Sequence, residues 1–200
     1  MSVSLDTGSG TVKSSLAIRK DDFYATPPQA VHALLKAEII PLTVWEPACG
    51  DGAIVNILRD TGRACVATDL VDRGCPDSQS GIDFLMERSA PAGVPCIVTN
   101  PPFKLANEFA AHARDLAPYV CLLLRLAFLE GLRWERGLAK HLARVHVFAP
   151  RLPFMHRHDF DGPRNSSSGM PFAWFVWDHA HEGPAEISWI NYRAAAGETS

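Results

Sequence analysis

The stretch 44–52, VWEPACGDG, limits the folds open to this chain more than any other. A short apolar run, Val44 and Trp45, ends in the acidic Glu46, and Gly50 and Gly52 follow closely. Such a run finishes a buried strand, and the glycines let the backbone turn tightly toward a helix. A helix is predicted over 53–61, where Ile54, Ile57 and Leu58 fall at helical spacing. The segment 64–70, ACVATDL, then reads as a buried parallel strand ending at Asp69. Strand, glycine turn, helix and strand make a βαβ unit.

A glycine turn alone is as consistent with a plain strand-to-helix connection as with a ligand site. Asp69, however, lies 19 residues beyond Gly50. That is close to the ~20-residue offset at which an acid at the end of the second strand reaches ribose hydroxyls. The joint spacing points to a nucleoside-containing ligand, with a helix-capping carboxylate as the alternative role for Asp69.

The remaining chain gives this unit a sheet to belong to. Residues 1–15 are rich in Ser, Gly and Thr without an apolar period and are expected to form a mobile tail. Pro27 and Pro28 open a helix predicted over 28–39, with Ala30, Val31, Leu34, Leu35 and Ile39 near one face. A polar loop over 72–81 leads to the short element IDFL, with Asp83 at its exposed end. Over 94–100 an apolar strand ends at Asn100, and Pro101 and Pro102 stop both helix and ladder. A helix over 105–116, a strand over 119–126, a helix over 134–143 and a strand over 144–149 follow. The 19 residues 151–169 read as a long, functional or mobile loop, and PFAWFVWD as a strand whose expected partner is AEISWINY.

Composition bounds the class of protein. With 200 residues, 47% hydrophobic and 20% charged, the chain suits one globular domain, 16–200. No apolar run nears the roughly 20 residues that span a bilayer, and residues 1–15 lack a signal-peptide centre, so a cytoplasmic protein without membrane association is expected. Five scattered cysteines without a CxxC pair are expected to be reduced. The pairs His156/His158 and His179/His181 lack matching ligands nearby, and no metal is expected. The net charge is −3, yet residues 131–165 carry 7 Lys/Arg against 3 Asp/Glu, a local excess of +4. That block fits either a solvated face or a surface turned toward a polyanion.

With EPACGDG, Asp69, Asp83 and TNPPF in this order, the chain resembles the class I S-adenosylmethionine-dependent methyltransferases, and among them the DNA adenine N6 group. EPACGDG is similar to that family's first motif, TNPPF to its (D/N/S)PP(Y/F/W) signature, and FYATPP to an N-terminal segment found in some members. The resemblance covers roughly 22–178. Together with the element pattern it implies an α/β fold, a Rossmann-like, doubly wound, mostly parallel sheet of seven strands with an antiparallel edge strand.

It also implies roles. S-adenosylmethionine would be the cofactor, held by Glu46, Pro47, Ala48, Gly50 and Gly52 at its amino-acid end, with Tyr24, Thr26 and Pro27 nearby. Asp69 and Leu70 would meet the ribose, and Asp83 and Phe84 the cofactor adenine. The catalytic set would be Asn100, Pro101, Pro102 and Phe103. An exocyclic amine on adenine is a poor nucleophile because its lone pair is delocalised, so Asn100 Oδ1 and the Pro101 carbonyl would accept its hydrogen bonds while Phe103 stacks on the base. Lys104, Arg133, Arg151, Arg157 and Arg164 would face nucleic acid. RNA adenine or protein glutamine would suit the same signature, and a non-catalytic nucleic-acid-binding protein is a third reading. Only 97 residues follow Phe103, so no separate target-recognition domain is visible, and weak or partner-supplied sequence discrimination is expected.

Overall fold

The computed structural model describes residues 24–153 and 169–193. Its elements, in chain order, are α1 (Pro28–Ala37), β1 (Thr43–Glu46), α2 (Ala53–Asp60), β2 (Ala64–Asp69), β3 (Gln79–Ser80), β4 (Cys96–Thr99), α3 (Ala106–Leu116), β5 (Tyr119–Arg125), β6 (Leu142–Phe148), β7 (Phe172–Asp178) and β8 (Glu186–Ile190). The strands form one sheet in the order β3-β2-β1-β4-β5-β7-β6-β8. Pairing is parallel throughout except that β7 runs against both β5 and β6.

Alternation along the central strands explains why the sheet is covered on both faces. On β5, Cys121 and Leu123 face one core with the buried faces of α1 and α2; Val120, Leu122 and Leu124 face the other with Phe109, Ala110 and Ala113 of α3. Strand β7 divides likewise, Trp174 and Val176 to the first core and Phe175 and Trp177 to the second. This is the doubly wound, mostly parallel α/β sheet expected from the sequence, with its antiparallel strand toward one side.

Four details differ from expectation. The sheet has eight strands rather than seven, because β3 adds at the edge beyond β2, and the antiparallel β7 lies between β5 and β6 rather than at an edge. AEISWINY pairs with β6 in parallel, not with β7. Gln79 and Ser80, inside the polar loop, form the short β3 against Thr68 and Asp69. The helix expected over 134–143 is a π-helical turn, Trp134–Leu138, broken at Gly137 with φ 106°, and β6 begins at Leu142. Glycine at a positive φ ends the helix there, and the apolar period that continued through Leu142 belonged to the strand. Residues 1–15, His156, His158, Arg157 and Arg164 lie outside the described residues.

Candidate active site

The carboxyl ends of β1, β2, β4 and β5 meet at one edge of the sheet, where open α/β sheets place their ligands. A cleft opens there. Its wall brings together Tyr24, Thr26, Glu46, Pro47, Ala48, Asp69, Leu70, Asp83, Phe84 and the whole of Asn100–Phe103. Of the residues assigned to the cofactor from sequence, Pro27, Gly50 and Gly52 do not line the cleft. Gly50 and Gly52 have φ of 55° and 88°. A Cβ on Gly52 would come within 3.0 Å of Cys75 Sγ, so both conformation and space require glycine.

Asp69 fixes this turn from across the sheet. Its Oδ2 accepts from the Gly50 N–H at 2.9 Å and its Oδ1 from the Val71 N–H at 2.8 Å. A carboxylate has about four lone-pair sites, so it retains acceptor capacity toward a ligand hydroxyl. Asp83 caps the 3-10 turn Phe84–Met86 through the Leu85 N–H. Phe84 is 2% exposed and wedged among Trp45, Phe109 and His112, so it is the rigid back of the cleft as much as a ligand surface.

Glu46 is fully buried at the end of β1. Its Oε1 accepts from the Ala48 N–H at 3.2 Å, and its Oε2 has no partner among the described residues. Burial pushes this carboxyl up to about 8, and the nearby Asp69 carboxylate adds to the effect. Besides the protonated Glu46 carboxyl, the cleft wall carries three carboxylates, Asp51, Asp69 and Asp83, against one guanidinium, Arg73. That set repels phosphates and suits a cationic ligand bearing hydroxyl and amine donors.

Asn100 follows β4, and the segment before α1 fixes its side chain. Its Nδ2 donates to the Tyr24 carbonyl and to Thr26 Oγ1, both at 3.1 Å. With the nitrogen end so engaged, the identity of the two amide ends is determined, and the oxygen is the acceptor end. Tyr24 also stacks on Phe103, centroids 4.8 Å apart, while the Arg125 guanidinium lies over the Phe103 ring at 4.5 Å. Tyr24 and Thr26 thus hold the NPPF signature in shape.

Sequence reasoning missed Arg125, although its place at the end of a predicted strand beside NPPF was a usable signal. It also missed Val71, Ile82 and Phe109 in the cleft wall. Among the predicted cations, Lys104 is exposed on the 3-10 turn Phe103–Leu105. Arg151 is exposed after β6 and donates to the Gly169 carbonyl at 3.1 Å. Arg133 is half-buried and donates to the Phe128 carbonyl at 3.0 Å. No group of three or more metal-ligating side chains occurs among the described residues, and none of their helices is long and apolar enough to cross a membrane. The thiols of Cys96 and Cys121 are pushed up by burial.

The fold is that of the class I S-adenosylmethionine-dependent methyltransferases. A candidate member of that class from Listeria monocytogenes superposes with a TM-score of 0.57 at 13% identity, covering 86% of this chain and 66% of that one. Within that fold, the modification subunit of a candidate type I restriction enzyme from Vibrio vulnificus matches with a TM-score of 0.55 at 13% identity, over 84% of this chain and 47% of that one. The 23S rRNA methyltransferase ErmE matches with a TM-score of 0.50 at 18% identity, over 80% and 72%. No family model matches the sequence, and no curated protein does.

Proposed function

We propose that this chain transfers a methyl group from S-adenosylmethionine to the exocyclic N6 amine of adenine in DNA. The observation that carries this reading is the locked Asn100 carboxamide, its nitrogen held by Tyr24 and Thr26, in the wall of a cleft rich in carboxylates. The bound cofactor supplies an electrophilic sulfonium methyl. The acidic wall would favour its positive charge, Asp69 would accept its ribose hydroxyls, and Glu46 Oε2, without a partner among the described residues, would accept from its ammonium. Asn100 Oδ1 and the Pro101 carbonyl accept the two amine protons of the target base, which returns lone-pair density to the nitrogen. The methyl would pass to the nitrogen by direct displacement at the sulfonium, and the methylated nitrogen would then release one proton to solvent. No covalent enzyme intermediate is needed. Lys104, Arg133, Arg151, Arg157 and Arg164 supply phosphate contacts. The restriction-enzyme modification subunit among the similar structures supports DNA as acceptor.

The test is incubation with labelled S-adenosylmethionine and, separately, duplex DNA, single-stranded DNA, RNA and protein extract. Label in DNA adenine is the expected result. Asn100→Ala is expected to lower transfer by about 100-fold or more while cofactor affinity changes little; unchanged transfer would remove Asn100 from the chemistry. Asp69→Ala is expected to weaken cofactor binding instead. The similarity to an rRNA methyltransferase favours RNA adenine as the second reading, and label confined to the RNA arm would establish it over DNA.

A further inference from the structure

A second concavity lies beside the catalytic signature, on the surface between α3 and the π-helical turn Trp134–Leu138. Asn107, Ala111, Leu132, Arg133, Arg136 and Leu138 line it. Two arginines and a carboxamide face it with no carboxylate in the lining; Glu108 and Glu135, adjacent in sequence, do not take part. Asn107 sits in the first turn of α3, seven residues beyond Asn100, so the groove starts where the catalytic segment ends.

The groove is held in shape from below. Arg114, in the last turn of α3, donates to the Gly137 carbonyl, and Trp177 Nε1 donates to the Leu138 carbonyl at 2.9 Å. Arg133 and Trp134 both donate to the Phe128 carbonyl, each at 3.0 Å, and the Arg133 guanidinium lies over the Phe128 ring at 4.7 Å. One cation is therefore pre-positioned, and the second, Arg136, is exposed. Leu132, 61% exposed, adds an apolar contact beside the two charges. Paired guanidinium groups, an amide donor and one apolar side chain suit alternating phosphate and sugar, and in a chain of net charge −3 they concentrate positive potential locally.

We propose that this groove receives the sugar–phosphate backbone of the nucleic-acid strand beside the target nucleotide; this rests on the nucleic-acid reading above. The strand leaves the catalytic cleft past Phe103 and Lys104, runs along the first turns of α3, and places its phosphates against Arg133 and Arg136.

Fluorescence anisotropy of labelled oligodeoxyribonucleotides and oligoribonucleotides, titrated with the whole chain over a series of salt concentrations, tests it. Arg136→Glu is the probe, because Arg136 is exposed and its loss spares the packing around Arg133. Lys36→Glu, an exposed change of equal charge on α1, is the control. Arg136→Glu is expected to lower affinity roughly 10-fold and to reduce the salt slope by about 1–2, while Lys36→Glu changes neither. If the unaltered chain binds and the two variants behave alike, the groove is not the strand's path, and the nucleic-acid reading stands. If the unaltered chain binds neither oligonucleotide at low salt, that reading falls and the groove proposal falls with it.

Discussion

Glu46 is the residue whose chemistry is most altered by its surroundings. Burial raises its folded-state carboxyl to about 8, above the ordinary 4.5, so the ligand-free chain holds a proton there that the unfolded chain releases. The stability linked to that proton is fully present below pH 4.5 and is lost as the pH rises through about 8. Glu46→Gln, which cannot ionise, is expected to raise the unfolding free energy of the ligand-free chain at pH 9 by roughly 1–3 kcal/mol, read by denaturant titration. Binding a cation favours the ionised form. Cofactor affinity should therefore strengthen as pH rises toward 8 and then level off, with proton release visible in calorimetry across buffers of different ionisation enthalpy. At Gly52, alanine adds strain at φ 88° and a 3.0 Å approach to Cys75 Sγ. An expected loss of about 1–3 kcal/mol, with weaker cofactor binding, is measurable by thermal unfolding with and without ligand. Glycine, acid and asparagine positions were legible because each answers a local backbone or end-of-strand requirement. The partners of Asn100 were not, since Tyr24 and Thr26 lie 76 and 74 residues away.

Among the elements, α1 is joined to the sheet by one buried carboxylate. Glu38, just past its end, accepts from Tyr119 of β5, from Arg144 Nε at 2.5 Å and from His146 Nε2 at 2.6 Å. Burial alone would raise its carboxyl, but the hydrogen bonds from His146, Arg144 and Tyr119 outweigh it and hold the group at about 2. This stability is present above the ordinary 4.5 and is lost as the pH falls toward 2. Glu38→Ala removes the acceptor of the buried His146 and of the half-buried Tyr119 and Arg144, and a loss of about 2–4 kcal/mol is expected in chemical denaturation at pH 7. His146 Nδ1 then accepts from Ser188, which pins β8 in the register that sets His146 opposite Ser188. Element type was readable wherever the period ran clean, as in α2 or β7. It was misread at Trp134–Leu138, where stacking of Trp134 on Phe175 and Trp177 supplied the apolar spacing without a regular helix. The partner of β8 was unreadable, because nothing in AEISWINY distinguishes pairing with β6 from pairing with β7.

Across the whole molecule, the tryptophans show where the fold is committed. Trp45, Trp174 and Trp177 are buried between sheet and helices with their indole N–H groups on Thr68 Oγ1, the Ala30 carbonyl and the Leu138 carbonyl. Trp189, on the outer strand β8, is 70% exposed. Trp174→Ala should cost about 3–5 kcal/mol, whereas Trp189→Ser should stay within about 0.5 kcal/mol, a contrast that paired denaturant curves would test. The doubly wound architecture was legible because βαβ spacing and apolar strands are local signals that sum to one topology. The surroundings of NPPF were less so, since Arg125, α3 and the π-helical turn meet only in space.

The order Asn100–Pro101 bears on how the protein ages. Spontaneous deamidation of asparagine proceeds when the next residue's backbone nitrogen attacks the side-chain amide to close a succinimide ring, and proline has no N–H to do so. The Asn100 carboxamide is thereby shielded from its commonest chemical decay. The shielding matters here because aspartate at this position could not donate to the Tyr24 carbonyl and Thr26 hydroxyl that now hold the amide nitrogen. The proline that stops the strand thus also preserves, over the lifetime of each molecule, the carboxamide that stands before it.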